Sequence, residues 1–152
     1  MPTETESATS ADTASQPVFD TKLVVILWDD LPTWQKLNMT LFLVSGIAAT
    51  DPTTVGQPYE DGSGGQYLPM FRQPGLVFAA SRDELRRAFD RARHNEVTMA
   101  IFTDDLFSTG HDDANRAAVR AVTQDALSLV GIAFRAERKI ANKIVKGLKL
   151  HT

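Results

Sequence analysis

The sequence predicts an α/β protein, a three-layer α/β/α sandwich whose mixed, mostly parallel sheet has about four strands. Apolar, β-branched segments alternate along the chain with segments of helical spacing. Such alternation favours right-handed β-α-β crossovers, which place helices on both faces of a sheet. The 152 residues suit one domain, which we expect over residues 21–152. Residues 1–20 are mostly small and polar, so we expect a disordered tail there.

Four segments have the composition of buried strands. The first, LVVILW at residues 23–28, is an unbroken apolar run, which is typical of a strand covered on both faces. The other three lie at residues 75–80, 97–102 and 127–134. Between the first and second strands, the Gly- and Pro-rich segment 53–74 predicts a long loop, and loops of this length are usually functional or mobile.

Four segments have helical patterns, at residues 36–50, 82–94, 111–122 and 137–146. The second has the clearest start, because Ser81 and Glu84 have the spacing of a capping box. In the first, apolar residues at positions 37, 41, 44, 47 and 48 have the spacing of a helix face that packs on a sheet. We therefore expect this face to be buried.

The composition and the absence of certain motifs argue against several functional classes. The chain has no cysteine, which excludes disulfides, thiolate nucleophiles and cysteine-ligated zinc. It has no Walker loop, dinucleotide fingerprint or Gly-x-Ser-x-Gly motif, so we expect no cofactor. No apolar run approaches the length of a bilayer span, and the first residues lack the features of a signal peptide. We expect a cytoplasmic protein without a membrane partner.

Charge is distributed unevenly along the chain. The net charge is −3, and residues 1–80 carry three basic and nine acidic side chains. Residues 135–149, by contrast, carry six Lys or Arg and one acid. This basic segment is typical of a solvated helix face, and a local phosphate-binding patch is the alternative.

Polar side chains concentrate after the first and third predicted strands, where ligands collect in α/β proteins. After the first strand, the candidate ligand-binding residues are Asp30, Trp34, Gln35 and Asn38, with Lys36 as a candidate catalytic amine. After the third strand, Asp104 and Thr109 are candidate catalytic residues and Ser108 is a candidate ligand-binding residue. Turn formation, helix capping and a tryptophan lid on the core are the alternative roles.

Four carboxylates and a histidine also lie between residues 104 and 113. These are ligand types that divalent metals use. Their spacing matches no specific metal motif, and acids at a helix start are explained by capping. We predict no metal site.

Two sets of motifs are shared with known families. The stretch from Asp83-Glu84-Leu85 to Asp104 and the stretch from Val130-Gly131-Ile132 to Leu150 resemble type II peptidyl-tRNA hydrolases over most of residues 21–150. A closer resemblance, to a bacterial family known as domain of unknown function two thousand, rests on Asp30-Leu31-Pro32, Trp34-Gln35-Lys36-Leu37-Asn38, Ser45-Gly46-Ile47 and Tyr67-Leu68-Pro69-Met70. That family resembles a divergent branch of the hydrolase fold and has no assigned activity.

The resemblance implies roles for three residues. Asp104 matches an aspartate of the hydrolases, and Lys36 falls within their lysine-rich segment. Thr109 stands one place beyond the family's threonine, and Leu106-Phe107-Ser108 replaces a Gly-Arg-Thr segment. Because the hydrolases are commonly dimers, the resemblance also implies a homodimer.

Three functions stay open. In the first, the protein is a hydrolase or transferase of a small ester or amide, with Asp104 as general base and Lys36 stabilising negative charge. In the second, the same pocket binds a small molecule or a protein without chemistry. In the third, the protein is a genuine peptidyl-tRNA hydrolase, although its acidic first half disfavours tRNA as a partner.

Overall fold

The structure, a computed structural model, describes residues 18–152. Most of the predicted tail lies outside the described residues. The strands are β1 (Thr21–Trp28), β2 (Tyr59–Glu60), β3 (Gln66–Tyr67), β4 (Gly75–Ala80), β5 (Ala100–Thr103), β6 (Leu129–Glu137) and β7 (Lys149–Leu150). The helices are α1 (Thr33–Thr50), α2 (Arg82–His94), α3 (Asp112–Arg120) and α4 (Arg138–Ile144).

The main sheet is mixed, as predicted, but it has five strands rather than four, in the order β5-β6-β1-β4-β7. The prediction that most neighbouring strands are parallel is wrong. β1 is parallel to β4, whereas the pairs β1–β6, β5–β6 and β4–β7 are antiparallel. β1, β4 and β5 therefore run in the same direction and end at one edge, which we call the carboxyl edge.

The short helix α3 explains the antiparallel pairing. It has nine residues, none of them buried, so it does not cross the sheet to its other edge. The chain leaves β5 and enters β6 at the same edge, and the two strands must then run in opposite directions. A β-bulge marks this pair: Phe102 is opposite Gly131, but Thr103 is opposite Leu129.

Helices cover both faces of the sheet, and alternate residues of β1 separate the two cores. Val24 and Ile26 pack with the buried residues of α2 and α4. Val25 and Leu27 pack on the opposite face, with Met39 of α1 among their neighbours. This alternation is what a strand covered on both faces requires.

The buried face of α1 matches the predicted one only in part, since Val44 and Ile47 pack against the core as predicted. Met39 and Leu43 are buried, whereas Leu37 and Leu41 are 65% and 68% exposed. Gly131 on β6 helps to set this orientation, because a Cβ atom there would lie 2.6 Å from Sδ of Met39. The missing side chain lets Met39 approach the sheet closely.

The predicted loop 53–74 contains a hairpin, which we call the hairpin arm (residues 55–71). Its two strands pair through β2 and β3 and through an isolated bridge between Val55 and Phe71. Arg135 of β6 holds the base of the arm, with Nη1 2.7 Å from Oδ2 of Asp51 and Nε 3.3 Å from Oε1 of Gln73. Because the segment is rich in Gly and Pro, its sequence pattern predicts a loop rather than a hairpin.

Candidate functional site

The structure divides the predicted site residues among separate places along the carboxyl edge. Trp34, Asn38 and Thr109 share one cavity. Asp104 contacts residues of α2 and of the segment before β6, and Lys36 contacts residues next to β1 and β7. In the part of the chain that the structure describes, Asp104 and Lys36 make no ion pair or hydrogen bond with each other.

The cavity that holds Trp34, Asn38 and Thr109, which we call the aromatic cavity, has a volume of about 400 Å³. It lies between α1 and the segment that connects β5 to α3. One wall comes from α1, which follows β1, and the other from β5 and the residues that follow it. The lining residues are Trp34, Asn38, Phe42, Phe102, Leu106, Phe107, Thr109, Gly110, His111, Asp112 and Asn115.

Aromatic rings form one side of this cavity. Phe107 lies 4.9 Å from Phe102 and 6.2 Å from Trp34 between ring centroids, and the Trp34 contact is edge-to-face. Phe42 continues the series, 6.1 Å from Phe102. These separations and tilts are those of favourable aromatic pairs. The wall is therefore built from rings that hold one another in place.

Polar groups stand around the same cavity. The Oγ1 hydroxyl of Thr109 donates to the carbonyl of Leu106 at 3.1 Å and also contacts Oδ1 of Asn115. This leaves the amide nitrogen of Asn115 as a donor. The half-buried side chain of Asn38 makes no hydrogen bond within residues 18–152, so its donor and acceptor are both open to a ligand.

Asp104 belongs to a second cluster. Its Oδ2 accepts from Oγ of Ser128 at 2.7 Å and from Nη2 of Arg82 at 3.1 Å. The same Nη2 lies 3.0 Å from Ser128 Oγ. Arg82 also stacks over the ring of Trp28, with Cζ 4.5 Å from the centroid. Asp104 is thus an anchored, charged acceptor.

Neighbouring carboxyls in this cluster differ in acidity. Burial by itself raises the pKa of Asp104, but hydrogen bonds from Ser128, Asp105 and Arg82 outweigh it, and the pKa falls below its usual value. The pKa of Asp105 is raised, first by its hydrogen bond to Asp104 and then by burial and the charge of Asp104. Asp104 therefore stays ionised, and a proton between the two resides on Asp105.

Lys36 lies in a third cluster. Its Nζ is 3.1 Å from Oδ1 of Asp29 and 3.0 Å from Nε2 of His151. The Lys36 side chain is only 14% exposed. Its amine thus faces a carboxylate and an imidazole rather than the aromatic cavity.

The remaining candidates lie outside these clusters. Asp30 lines a different cavity of about 560 Å³, together with Trp28, Ser81 and Lys149. Gln35 and Ser108 make no side-chain hydrogen bond within the described residues. Ser108 instead closes the turn after β5 through its backbone, with its N–H 3.0 Å from the carbonyl of Asp105.

Sequence reasoning missed Ser128, Arg82 and His151. Ser128 meets Asp104 only because β6 runs antiparallel to β5, whereas the predicted sheet was mostly parallel. Arg82 is the first residue of α2, and no local pattern there indicates its contact with Asp104. Helix capping, the alternative role considered for acids after the third strand, does not account for the contacts that Asp104 makes.

The acidic side chains after β5 do not form a cluster that could bind a metal ion within the described residues. Within residues 18–152, no three His, Asp or Glu side chains come close enough together to hold a metal ion. None of the helices in the described region has the length and apolar character needed to cross a membrane.

These features define a mixed α/β protein with an aromatic cavity at the carboxyl edge of its sheet. The chain belongs to the family described as protein of unknown function (DUF2000), whose model matches residues 21–152. This confirms the closer of the two resemblances. A solved structure, that of the protein of unknown function Atu0240 from Agrobacterium tumefaciens str. C58, is 46% identical, with a TM-score of 0.86. The match covers 89% of this chain and 100% of that one. No curated protein matches the sequence.

Proposed function

We propose that the protein binds a small, flat, mainly apolar molecule in the aromatic cavity. One observation carries this proposal: four aromatic rings and the open amide of Asn38 face the same cavity of about 400 Å³. Small-molecule sites have this size and this combination of apolar walls with a few placed polar groups. The cavity also lies where α/β sheets bind ligands.

The lining restricts the charge and chemistry of the ligand. No Lys or Arg lines the cavity, whereas Asp112 does. An anion would therefore find no Lys or Arg side chain among the lining residues to pair with. Asn38 and Asn115 can donate to a carbonyl oxygen or accept from an amide. A neutral aromatic amide has the chemistry that this lining recognises.

The experiment compares benzamide with benzoate, which share a ring but differ in charge. Two-dimensional NMR titration of the full chain should show shifts at Phe107, Thr109 and Asn115 with benzamide, and weaker or no shifts with benzoate. Trp34→Ala should weaken benzamide binding about tenfold, which is roughly 1.4 kcal/mol. Leu37→Ala, on the same helix but outside the cavity, is the matched control.

Equal binding of benzamide and benzoate would reject the charge preference. Unchanged affinity in Trp34→Ala would reject the cavity as the site. Asn38→Leu sharpens the test further, because it keeps the apolar wall and removes the amide. It should reduce the preference for benzamide over benzene.

A second candidate function, hydrolysis of a small ester or amide, is favoured by the contact between Ser128 and Asp104. In this reaction Ser128 Oγ attacks the carbonyl and passes its proton to Asp104, Arg82 stabilises the oxyanion, and the leaving alcohol takes the proton. Water then releases the acid. The lowered pKa of Asp104 makes it a weak base, which is why binding without chemistry ranks first. Lys36 and Thr109, the other predicted catalytic residues, lie in other clusters.

Hydrolysis of p-nitrophenyl acetate and of a model N-blocked aminoacyl-tRNA would test this candidate, in the wild type and in Ser128→Ala. Loss of ester hydrolysis in the variant supports it, and equal rates reject it. Release of the blocked amino acid from tRNA would instead support the third function, a genuine peptidyl-tRNA hydrolase with the type II fold.

A further inference from the structure

A second, smaller cavity lies between α2 and the start of β6. Its volume is about 160 Å³, and we call it the arginine cavity after two of its lining residues. Pockets for drug-sized ligands are larger, roughly 300–1,000 Å³, whereas one water molecule occupies only about 30 Å³. The arginine cavity therefore has room for a molecule of a few heavy atoms. It is lined by Arg82, Arg86, Leu127, Ser128 and Leu129.

Neighbouring side chains hold both arginines in place. Arg82 and Arg86 are one turn apart on α2, so they lie on the same side of the helix. The guanidinium of Arg82 stacks over Trp28, and that of Arg86 lies 5.0 Å from the ring centroid of Phe89. Nη2 of Arg86 also donates to the carbonyl of Gln124 at 3.0 Å. Because both groups are oriented in advance, a ligand loses little affinity to their ordering.

Hydrogen-bond donors remain free in this cavity. Arg82 makes its hydrogen bonds within residues 18–152 through Nη2 alone. Nη1 of Arg86 is buried and has no hydrogen-bond partner among the described residues, and the one other buried side-chain atom there without a partner is Oγ1 of Thr103. Thr103 is opposite Leu129 in the β5–β6 pair, and opposite residues share a face of the sheet. Both unpartnered atoms thus belong to the side of the sheet that holds the arginine cavity.

Three carboxylates surround the two guanidinium groups but do not line the cavity. Asp104 pairs with Arg82 at 3.1 Å. Asp90 and Asp125 lie 3.8 Å and 3.7 Å from nitrogens of Arg86, and Asp125 is 93% exposed. These two contacts are longer than hydrogen bonds and are weakened by water. The carboxylates limit the charge that the cavity accepts, because they repel a dianion about twice as strongly as a monoanion.

We propose that the arginine cavity binds the carboxylate of a small aliphatic acid. Nη1 of Arg86 and a free N–H of Arg82 donate to the carboxylate oxygens, a pairing for which planar guanidinium groups are suited. The short hydrocarbon chain of the acid contacts Leu127 and Leu129. This site is distinct from the aromatic cavity, whose proposed ligand is neutral, and it does not require the candidate hydrolysis at Ser128.

The test is an NMR titration of the full chain with propionate at pH 7 and constant ionic strength. Propionate should shift the Nε–H signals of Arg82 and Arg86 and the backbone amide of Ser128, with a Kd of about 1 mM. Propionamide has the same shape without the charge and should produce no such shifts. Inorganic phosphate should bind more weakly than propionate.

Substitutions on α2 locate the site. Arg86→Gln should weaken propionate binding about tenfold, because it removes the charge and the buried donor. Arg86→Lys keeps the charge but not the fork of donors, and should weaken binding by a smaller factor. Arg87→Gln is the matched control, because Arg87 is exposed on the same helix and does not line the cavity. It should leave the affinity unchanged.

Absence of propionate binding, equal binding of propionamide, or equal losses in Arg86→Gln and Arg87→Gln would overturn the proposal. Tighter binding of phosphate would overturn the assignment to a carboxylate. Arg86 is partly exposed, so its variants should fold, and the backbone spectrum checks this. Arg86→Lys provides the milder version if Arg86→Gln fails to fold. Benzamide should bind Arg86→Gln as it binds the wild type, so failure at one cavity is distinguishable from failure at the other.

Discussion

The two long helices, α1 and α2, pack on opposite faces of the same sheet in similar ways but present different surfaces to water. α2 buries Leu85, Ala88, Phe89 and Ala92 and carries arginines and acids on its other sides. α1 buries Met39 and Leu43 and is apolar on its outer side as well. An apolar outer side is unusual for a surface helix, which normally presents charged and polar residues to water.

This difference decides how well a helix face can be predicted. On α2, polar residues surround a single apolar stripe, and that stripe is the buried one. On α1, Leu37 and Leu41 form one stripe and Met39 and Leu43 form another, on nearly opposite sides of the helix. Periodicity detects both stripes but does not rank them, so the predicted buried face included the exposed Leu37 and Leu41 along with Val44 and Ile47, which do pack against the core.

The largest expected effect is a loss of stability from substitutions on the buried faces of α1 and α2. Leu43→Ala and Leu85→Ala each empty a buried position and should lower the free energy of unfolding by about 2–5 kcal/mol. Leu41→Ala, on nearly the opposite side of α1 from Met39 and Leu43, should change the free energy of unfolding by less than about 0.5 kcal/mol. Urea denaturation of the three variants measures these effects.

The opposite ranking of the two stability effects on α1 would contradict the assignment of its buried face. If Leu41→Ala were the costly change and Leu43→Ala the harmless one, the helix would pack through its predicted face. The Leu85→Ala variant controls for how well this sheet tolerates cavities in general.

A smaller effect concerns the charged cluster at the start of α2. Asp104→Asn should lower the free energy of unfolding by about 1 kcal/mol at neutral pH, because it weakens the contacts with Ser128 and Arg82 on a partly exposed site. Asp105→Asn should have the opposite sign, because its carboxyl has a raised pKa beside Asp104.

The pH dependence of the two variants should differ accordingly. The pKa of Asp104 is lowered in the folded state, so its contribution is present above the unfolded value of about 3.9 and disappears as the pH falls through the folded value. For Asp105 the raised pKa makes ionisation costly, and the cost appears as the pH rises. Thermal unfolding from pH 3 to 7 measures both. Identical pH profiles for the two variants would contradict the pairing of the carboxyls.

The sequence by itself determined the class of fold, the position of β1 and the capped start of α2. Each of these has a local signal: an unbroken apolar run, or Ser81 and Glu84 at capping spacing, which form the capping box. It also drew attention to the polar residues that follow the first and third predicted strands, because such residues are visible without knowledge of their partners.

Only the tertiary structure decided which strands pair and which side chains meet. The short helix α3 returns the chain to the edge that it left, so β6 runs antiparallel to β5 and brings Ser128 to Asp104. Close approach at Gly131 sets which face of α1 is buried. Such contacts join residues far apart in the chain, and their energies depend on neighbours that a local sequence pattern does not reveal. The sites at the carboxyl edge therefore had to be located from the folded chain.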